Sequence, residues 1–277
     1  MKIKFTLLLI PIIAGSYTSY AQFGKLQAME EELVFIQDTA KETWFKIKKS
    51  NYKDDSLLIF SNYSDMLDLL CRQFDMMLNV MLVEDKDMTY PFTKLQMQKG
   101  GLLDTYIAWS NDSLLRVFSW FLPGGTMHFY GNIIQYKDAN STVRSFSFIN
   151  EYNSDYGVNS TGFNYDNVFT LKEKGKTFYI LSGRTMAQTM YPVYQLAAYS
   201  IGDKLTMENI FEDENGNITN EIINAYDIGC STIDGNNFPH PVIDEKSKTM
   251  NLLEINDACF TGKFIKYNFD GKKFKFN

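Results

Sequence analysis

The stretch that decides the fold is Leu114-Leu115-Arg116-Val117-Phe118-Ser119-Trp120-Phe121, then Leu122-Pro123-Gly124-Gly125, then Thr126-Met127-His128-Phe129-Tyr130-Gly131-Asn132-Ile133-Ile134-Gln135-Tyr136. Aromatic and β-branched residues fill both flanks, and a Pro-Gly-Gly turn separates them, so the segment reads as two antiparallel strands. Side chains alternate across a strand. Arg116, Phe118 and Trp120 therefore share one side of the first strand, and Thr126, His128 and Tyr130 share one side of the second.

Period two continues beyond this hairpin. Leu102 to Trp109 precedes it, and Val143 to Ile149, Val168 to Leu171, Thr177 to Leu181, Tyr191 to Ile201, Lys204 to Phe211, Thr249 to Ile255, Gly262 to Phe269 and Lys272 to Phe276 follow as strands. Asn111-Asp112, Asp138-Ala139-Asn140, Lys174-Gly175, Gly202-Asp203, Asn215-Gly216 and Asp270-Gly271 supply the turns, so consecutive antiparallel hairpins are expected. Upstream the period is helical. Leu26, Met29, Leu33, Ile36, Ala40, Trp44 and Ile47 recur every three or four residues across Lys25 to Lys49, and after a break at Ser50-Asn51 a second helix runs from a Ser64 cap through Asp65 to about Asn79. The helices are expected to end before Asp85. The predicted architecture is α+β, with N-terminal amphipathic helices over 22–87 packed on a large antiparallel β-sheet assembly over 88–277. A β-propeller-like arrangement is the alternative, although no motif recurs at the fixed period that blades require.

The first 21 residues read as a secretion signal. Lys2 and Lys4 give a basic start, Phe5 to Ala14 an apolar run, and Ser19-Tyr20-Ala21 a cleavage site before Gln22. That run falls short of the roughly 20 apolar residues a spanning helix needs, as does every later one. Gln22 in place of a cysteine argues against a lipid anchor. The expected address is periplasmic or extracellular. Cleavage would leave 25 basic against 33 acidic residues, a net charge of about −8, which disfavours nucleic acid as a partner. The clusters Lys46, Lys48, Lys49 and Lys272, Lys273, Lys275 read as solvated faces.

Three cysteines leave at least one unpaired. A Cys230–Cys259 bridge would close a loop of about 30 residues and contribute about 3–4 kcal/mol in the chain-entropy account. Separate thiols are the favoured alternative, and spacing alone does not decide between them. Cys71 lies on an apolar helical face and reads as a small buried hydrophobe.

The densest candidate site is Arg116, Trp120, His128 and Tyr130, where aromatic faces and polar tips could meet a small ligand or a sugar ring. Cross-strand packing is the competing reading. Asn150 to Asn167 forms a long polar loop carrying Tyr152, Tyr156, Phe163 and Tyr165, which suits carbohydrate binding or a plain connector. His240, held between Pro239 and Pro241, is offered from a stiff extended segment as a base or a ligand contact. Asp213-Glu214-Asn215-Gly216-Asn217 hints at a calcium loop. Alignment on its glycine puts Phe211 and Ile222 where carboxylates are required, so a hairpin turn explains it better. With two histidines in the chain, and without H-E-x-x-H, C-x-x-C, a G-x-S-x-G elbow or a phosphate-binding glycine loop, no metal site and no cofactor are expected.

Tyr90-Pro91-Phe92-Thr93-Lys94-Leu95, Ser110-Asn111-Asp112-Ser113-Leu114-Leu115-Arg116-Val117-Phe118-Ser119-Trp120, Gly125-Thr126, and Phe129-Tyr130-Gly131-Asn132-Ile133-Ile134-Gln135 together resemble a group of uncharacterised exported bacterial proteins. The likeness covers roughly residues 60 to 140, with a weaker echo in Tyr267-Asn268-Phe269-Asp270-Gly271-Lys272-Lys273-Phe274. It implies export, an N-terminal helical part and a β-rich body, and it assigns no catalytic residue. The function expected from the sequence is a non-catalytic module that binds a glycan, an envelope component or a protein partner. A hydrolase acting on an envelope or extracellular polymer, with His128 or His240 and a carboxylate as acid and base, is the alternative.

Overall fold

A computed structural model of the chain describes residues 19–50, 57–97, 102–122, 129–147, 162–188, 190–213, 215–231 and 238–276. The fold is α+β. Helix α1 (Ser19–Ser50) pairs with α2 (Leu57–Glu84), and a short α3 (Thr93–Met97) leads into the strands. The second helix begins upstream of the expected Ser64 cap, which leaves that serine inside the helix. Its end at Glu84 falls where the apolar period stops.

Three sheets follow. The first has the order β1 (Thr105–Trp109), β2 (Leu115–Leu122), β3 (Phe129–Lys137), β4 (Val143–Ser147). A second contains β5 (Asn164–Glu173), β6 (Lys176–Gln188), β7 (Tyr191–Ile201), β8 (Leu205–Met207) and β11 (Glu221–Ala225). The third contains β9 (Phe211–Glu212), β10 (Ile218–Thr219), β12 (Val242–Asp244), β13 (Thr249–Asn256), β14 (Cys259–Phe269) and β15 (Phe274–Phe276). Pairing is antiparallel throughout, except that β15 runs parallel to β9. The expected Lys204–Phe211 strand splits into β8 and β9. β10, β11 and β12 carry no strong alternation and were not expected. The last four residues of the expected polar loop, Asn164 to Asn167, lie in β5.

The elements stack in layers and do not radiate as propeller blades. Phe118, Trp120, Leu122 and Ile133 face the helices and pack with Leu33, Leu70, Phe74 and Leu78. From the other face of the same strands, Leu115, Val117 and Ile134 pack on Tyr165, Tyr179, Leu181 and Ala197 of the second sheet. That sheet's opposite face, through Phe178, Ile180, Leu196 and Ala198, meets Phe211, Met250, Leu252 and Phe274 of the third. β2 is thus covered on both faces, which is why it is buried along nearly its whole length. Half-buried Asp213 accepts from the backbone N–H groups of Asn215 (2.9 Å) and Asn217 (2.8 Å), and Gly216 has φ 80°, so the calcium-like motif is a hairpin turn.

Trp120 lies flat across Gly131, its register partner on β3. A Cβ at that glycine would fall 2.2 Å from the indole. Gly131→Ala should therefore cost about 1–3 kcal/mol by overpacking, lowering the melting midpoint by about 2–4 °C per kcal/mol. Gly24→Ala on the exposed side of α1, where a Cβ meets nothing, should stabilise by up to about 1 kcal/mol; equal midpoints for the two variants would contradict the packing.

Burial pushes the Asp75 carboxyl on α2 up from 3.8 to about 6. Between those values the native chain holds a proton that the unfolded chain has released, so this residue's contribution to stability falls as pH rises through that window. Asp75→Asn should raise the melting midpoint at pH 7 and leave it nearly unchanged at pH 3.5. An equal gain at both pH values would refute the assignment.

Candidate functional site: a cleft where two sheets part

Along β6 the side chains facing the third sheet run Phe178, Ile180, Ser182, Arg184, Met186. The first two are packed in the third core. The next three line a cleft of about 840 Å³. β7 behaves alike, with Leu196 and Ala198 packed and Tyr194 and Pro192 lining the cleft. The opposite wall is Val242 of β12 with Phe238, His240 and Pro241 of the preceding segment. Tyr106 of β1 and Tyr130 of β3 close one end. A volume of this size accommodates an organic ligand of several rings.

The floor of the cleft is aimed by a buried polar pair on the first sheet. Ser119 and Asn132 are register partners on β2 and β3, both 0 % exposed. Asn132 Nδ2 donates to Ser119 Oγ (2.8 Å) and to the Phe163 carbonyl (3.0 Å), and Ser119 Oγ accepts from the Tyr165 N–H (3.0 Å). These bonds fix the start of β5 onto the first sheet. Alternation puts Asn164 and Asp166 on the cleft side of β5, and where the register against β6 slips between Tyr165 and Asn167 the bulge turns Asn167 to the same side. Tyr165 goes the other way. Its ring covers Gly183, where a Cβ would come within 2.7 Å, and its hydroxyl donates to Gln195 Oε1 at 2.5 Å.

Asp166 Oδ2 and Arg184 Nε meet at 3.3 Å, with both side chains partly open to solvent. Burial raises the Asp166 carboxyl, while Arg184 and, more weakly, His240 pull it back down. Burial also pushes the Tyr130 hydroxyl up to about 12, helped by neighbouring Tyr106. The Tyr130 phenol is therefore a neutral hydrogen-bonding group at physiological pH. Tyr194 stacks on Tyr226 (centroids 6.3 Å apart, 14° between planes), and its ring also lies 6.3 Å from His240. Tyr226 Oη donates to the Pro239 carbonyl at 3.1 Å, which ties the histidine-bearing wall to the second sheet. Asn164 is 3 % exposed, and its Oδ1 has no hydrogen-bond partner among the described residues.

The structure divides the residues singled out from the sequence. Tyr130 and His240 come together at the cleft. Arg116 and Trp120 do share a face of β2, but that face points to the helices, and both are 0 % exposed. Arg116 is engaged by Asp85, Gln135 Oε1 (2.6 Å) and the Tyr90 carbonyl (3.0 Å), and its guanidinium lies between the rings of Phe92, Trp109 and Phe118. These two residues are corrected from ligand contacts to core. The aromatic density that suggested a surface came from a strand packed on both sides. His128, Tyr152 and Tyr156 lie outside the described residues. Sequence reading missed Tyr106, Asp166, Arg184 and Tyr194. Their signal is the change from apolar to polar halfway along one face of a continuous strand, which marks where its covering layer ends.

Among the described residues no cluster of three His, Cys, Asp or Glu could hold a metal ion, and no helix is long and apolar enough to cross a membrane. Comparison of the chain with protein-family models, curated proteins and solved structures gives no match.

Cys230 and Cys259 are bonded, which corrects the preference for separate thiols. The bridge ties the segment after β11 to the β13–β14 hairpin, beside the main-chain bond from Asp227 N–H to the Ala258 carbonyl (2.7 Å) and close to the Ile228 wall of the cleft. Cys71 is buried and unbonded, and burial pushes its thiol up to about 12. A thiol reagent should find no reactive group in the folded chain, one after unfolding without reductant and three after reduction. Cys230→Ser with Cys259→Ser should cost about 3–4 kcal/mol; a reactive thiol in the folded, oxidised chain would contradict this arrangement.

Proposed function

We propose that the chain is an exported, non-catalytic module that binds a glycan in the cleft between the second and third sheets. The observation that carries this reading is the convergence of Tyr106, Tyr130 and Tyr194 from three strands around Asn164, Asp166, Asn167 and Arg184. Sugar rings have apolar C–H faces that suit aromatic side chains and hydroxyl rims that suit amides, carboxylates and guanidinium groups. Export is supported by the character of residues 1–21, by the resemblance to exported bacterial proteins, and by a disulfide, which persists in oxidising compartments.

Hydrolysis of a polymer is the second reading. It is favoured by Asp166 and His240 sharing one cleft, with burial raising the carboxyl toward the range of a general acid. The Arg184 partner counts against it by holding Asp166 toward its ionised form. Turnover of a polysaccharide that is lost in Asp166→Asn would replace the binding module with the enzyme.

Tyr106, 39 % exposed, and Arg184 can each be changed with little cost to packing. Tyr106→Ala and Arg184→Ala should each weaken glycan affinity by about tenfold, corresponding to about 1.4 kcal/mol, with the melting midpoint of the free protein nearly unchanged. Wild-type affinity in both variants, measured by calorimetry, would remove the cleft as the binding site.

A further inference from the structure

We infer that the ligand of this cleft is an uncharged oligosaccharide, and that acidic glycans are discriminated against. The inference rests on the glycan-binding reading and adds the charge and the contacts of the ligand. Among the described residues lining the cleft, Arg184 is the only guanidinium, Asp166 the only carboxyl, and no lysine is present. The two are already paired with each other at 3.3 Å. A uronate placed here would bring a second carboxylate up to Asp166 with one guanidinium to balance both, and that like-charge repulsion is what a site for acidic sugars avoids by carrying surplus positive charge. The whole chain carries a formal net charge of −6, which adds no attraction for a polyanion.

For neutral sugars the same pair is well suited. An ionised carboxylate has several acceptor positions, and a guanidinium has more donors than one carboxylate contact uses. The pair can therefore stay intact while adjacent hydroxyls donate to Asp166 and accept from Arg184. Asn164 supplies a second reason. Its Oδ1 is buried without a partner among the described residues, and a buried unsatisfied acceptor costs stability that an apolar residue of the same size would not. Rotation of the amide about its terminal torsion brings an acceptor or a donor to a hydroxyl at the floor, so a ligand hydroxyl satisfies a group that the described residues leave unbonded. Asn164 and Asp166 share the cleft side of β5 by alternation, which places that floor contact beside the charge pair.

The test is calorimetric titration of the full chain with linear glucose, mannose and xylose oligomers and with uronate oligomers of matching length, repeated for Asn164→Leu. At least one neutral series is expected to bind about tenfold or more tightly than its uronate counterpart, with affinity nearly independent of salt because no counterion is released. Asn164→Leu should lose about tenfold in affinity for the neutral sugar while its melting midpoint stays level or rises. A merely structural asparagine would give the reverse pattern. Uronates binding as tightly as neutral sugars would overturn this inference and leave the glycan-binding reading standing. Absence of binding by every oligomer, neutral or acidic, would overturn both.

Discussion

The structure is organised around one buried charge. Arg116 sits on β2, the strand covered by helices on one face and by the second sheet on the other, and its guanidinium is neutralised by Asp85 just past the end of α2. Leaving either partner alone in such a place costs about 3–5 kcal/mol, so helix and sheet are obliged to meet in one way. Neighbouring groups tighten the arrangement. Gln135, beside Arg116 on β3, donates to the Leu82 carbonyl at 2.6 Å, which satisfies the last turn of α2. Asp85 accepts from the Thr89 and Tyr90 N–H groups, and Glu30 of α1 accepts from Tyr90 Oη (2.7 Å) and from the Lys94 and Leu95 N–H groups that open α3. The same turn holds Met88 (φ 54°) and Phe92 (φ 51°) in left-handed backbone that bulky residues avoid, and this strain persists because the ion pair and its hydrogen bonds fix the segment from both ends.

From that fixed point the order of the molecule passes outward through layers. Helix contacts set the face of β2 that carries Phe118 and Trp120, and alternation then commits Val117 and Ser119 to the second sheet. Ser119 with Asn132 fixes the start of β5, alternation there puts Asn164 and Asp166 on the cleft side, the bulge adds Asn167, and the third sheet covers only the apolar half of β6 and β7. The cleft is what remains of that face. Its outer wall is held by Tyr226 on the Pro239 carbonyl, by Glu245 accepting from the Thr170 N–H at 2.6 Å, and by the Cys230–Cys259 bridge.

Much of this order was legible in the sequence. The change of period near Pro91 separated helices from strands, and turns at Lys174-Gly175 and Asp270-Gly271 were marked by residues that tolerate positive φ. Short edge elements such as β11 were not legible, because Ile222-Ile223 breaks the alternation and most of the strand is exposed. Arg116 was misread for a physical reason. A charged residue in an aromatic strand looks like a surface group until its counter-charge is found, and Asp85 lies 31 residues away in a turn that local patterns do not connect to it. Among the cleft residues, Tyr130 and His240 stood out by their immediate neighbours. Asp166, Arg184 and Tyr194 depend on how β5 is anchored and on the extent of a covering sheet, which are tertiary facts.

Strands covered on both faces leave few places where polar and aromatic groups can converge in the open, and among the described residues the cleft where the covering sheet stops short is such a place. Amide chemical-shift mapping during titration with a neutral oligosaccharide tests this most directly. Shifts concentrated on Tyr106, Tyr130, Asn164 to Asn167, Arg184, Tyr194 and His240 are the predicted result. Shifts confined to the outer faces of α1 and α2, with the cleft amides unmoved, would contradict the account.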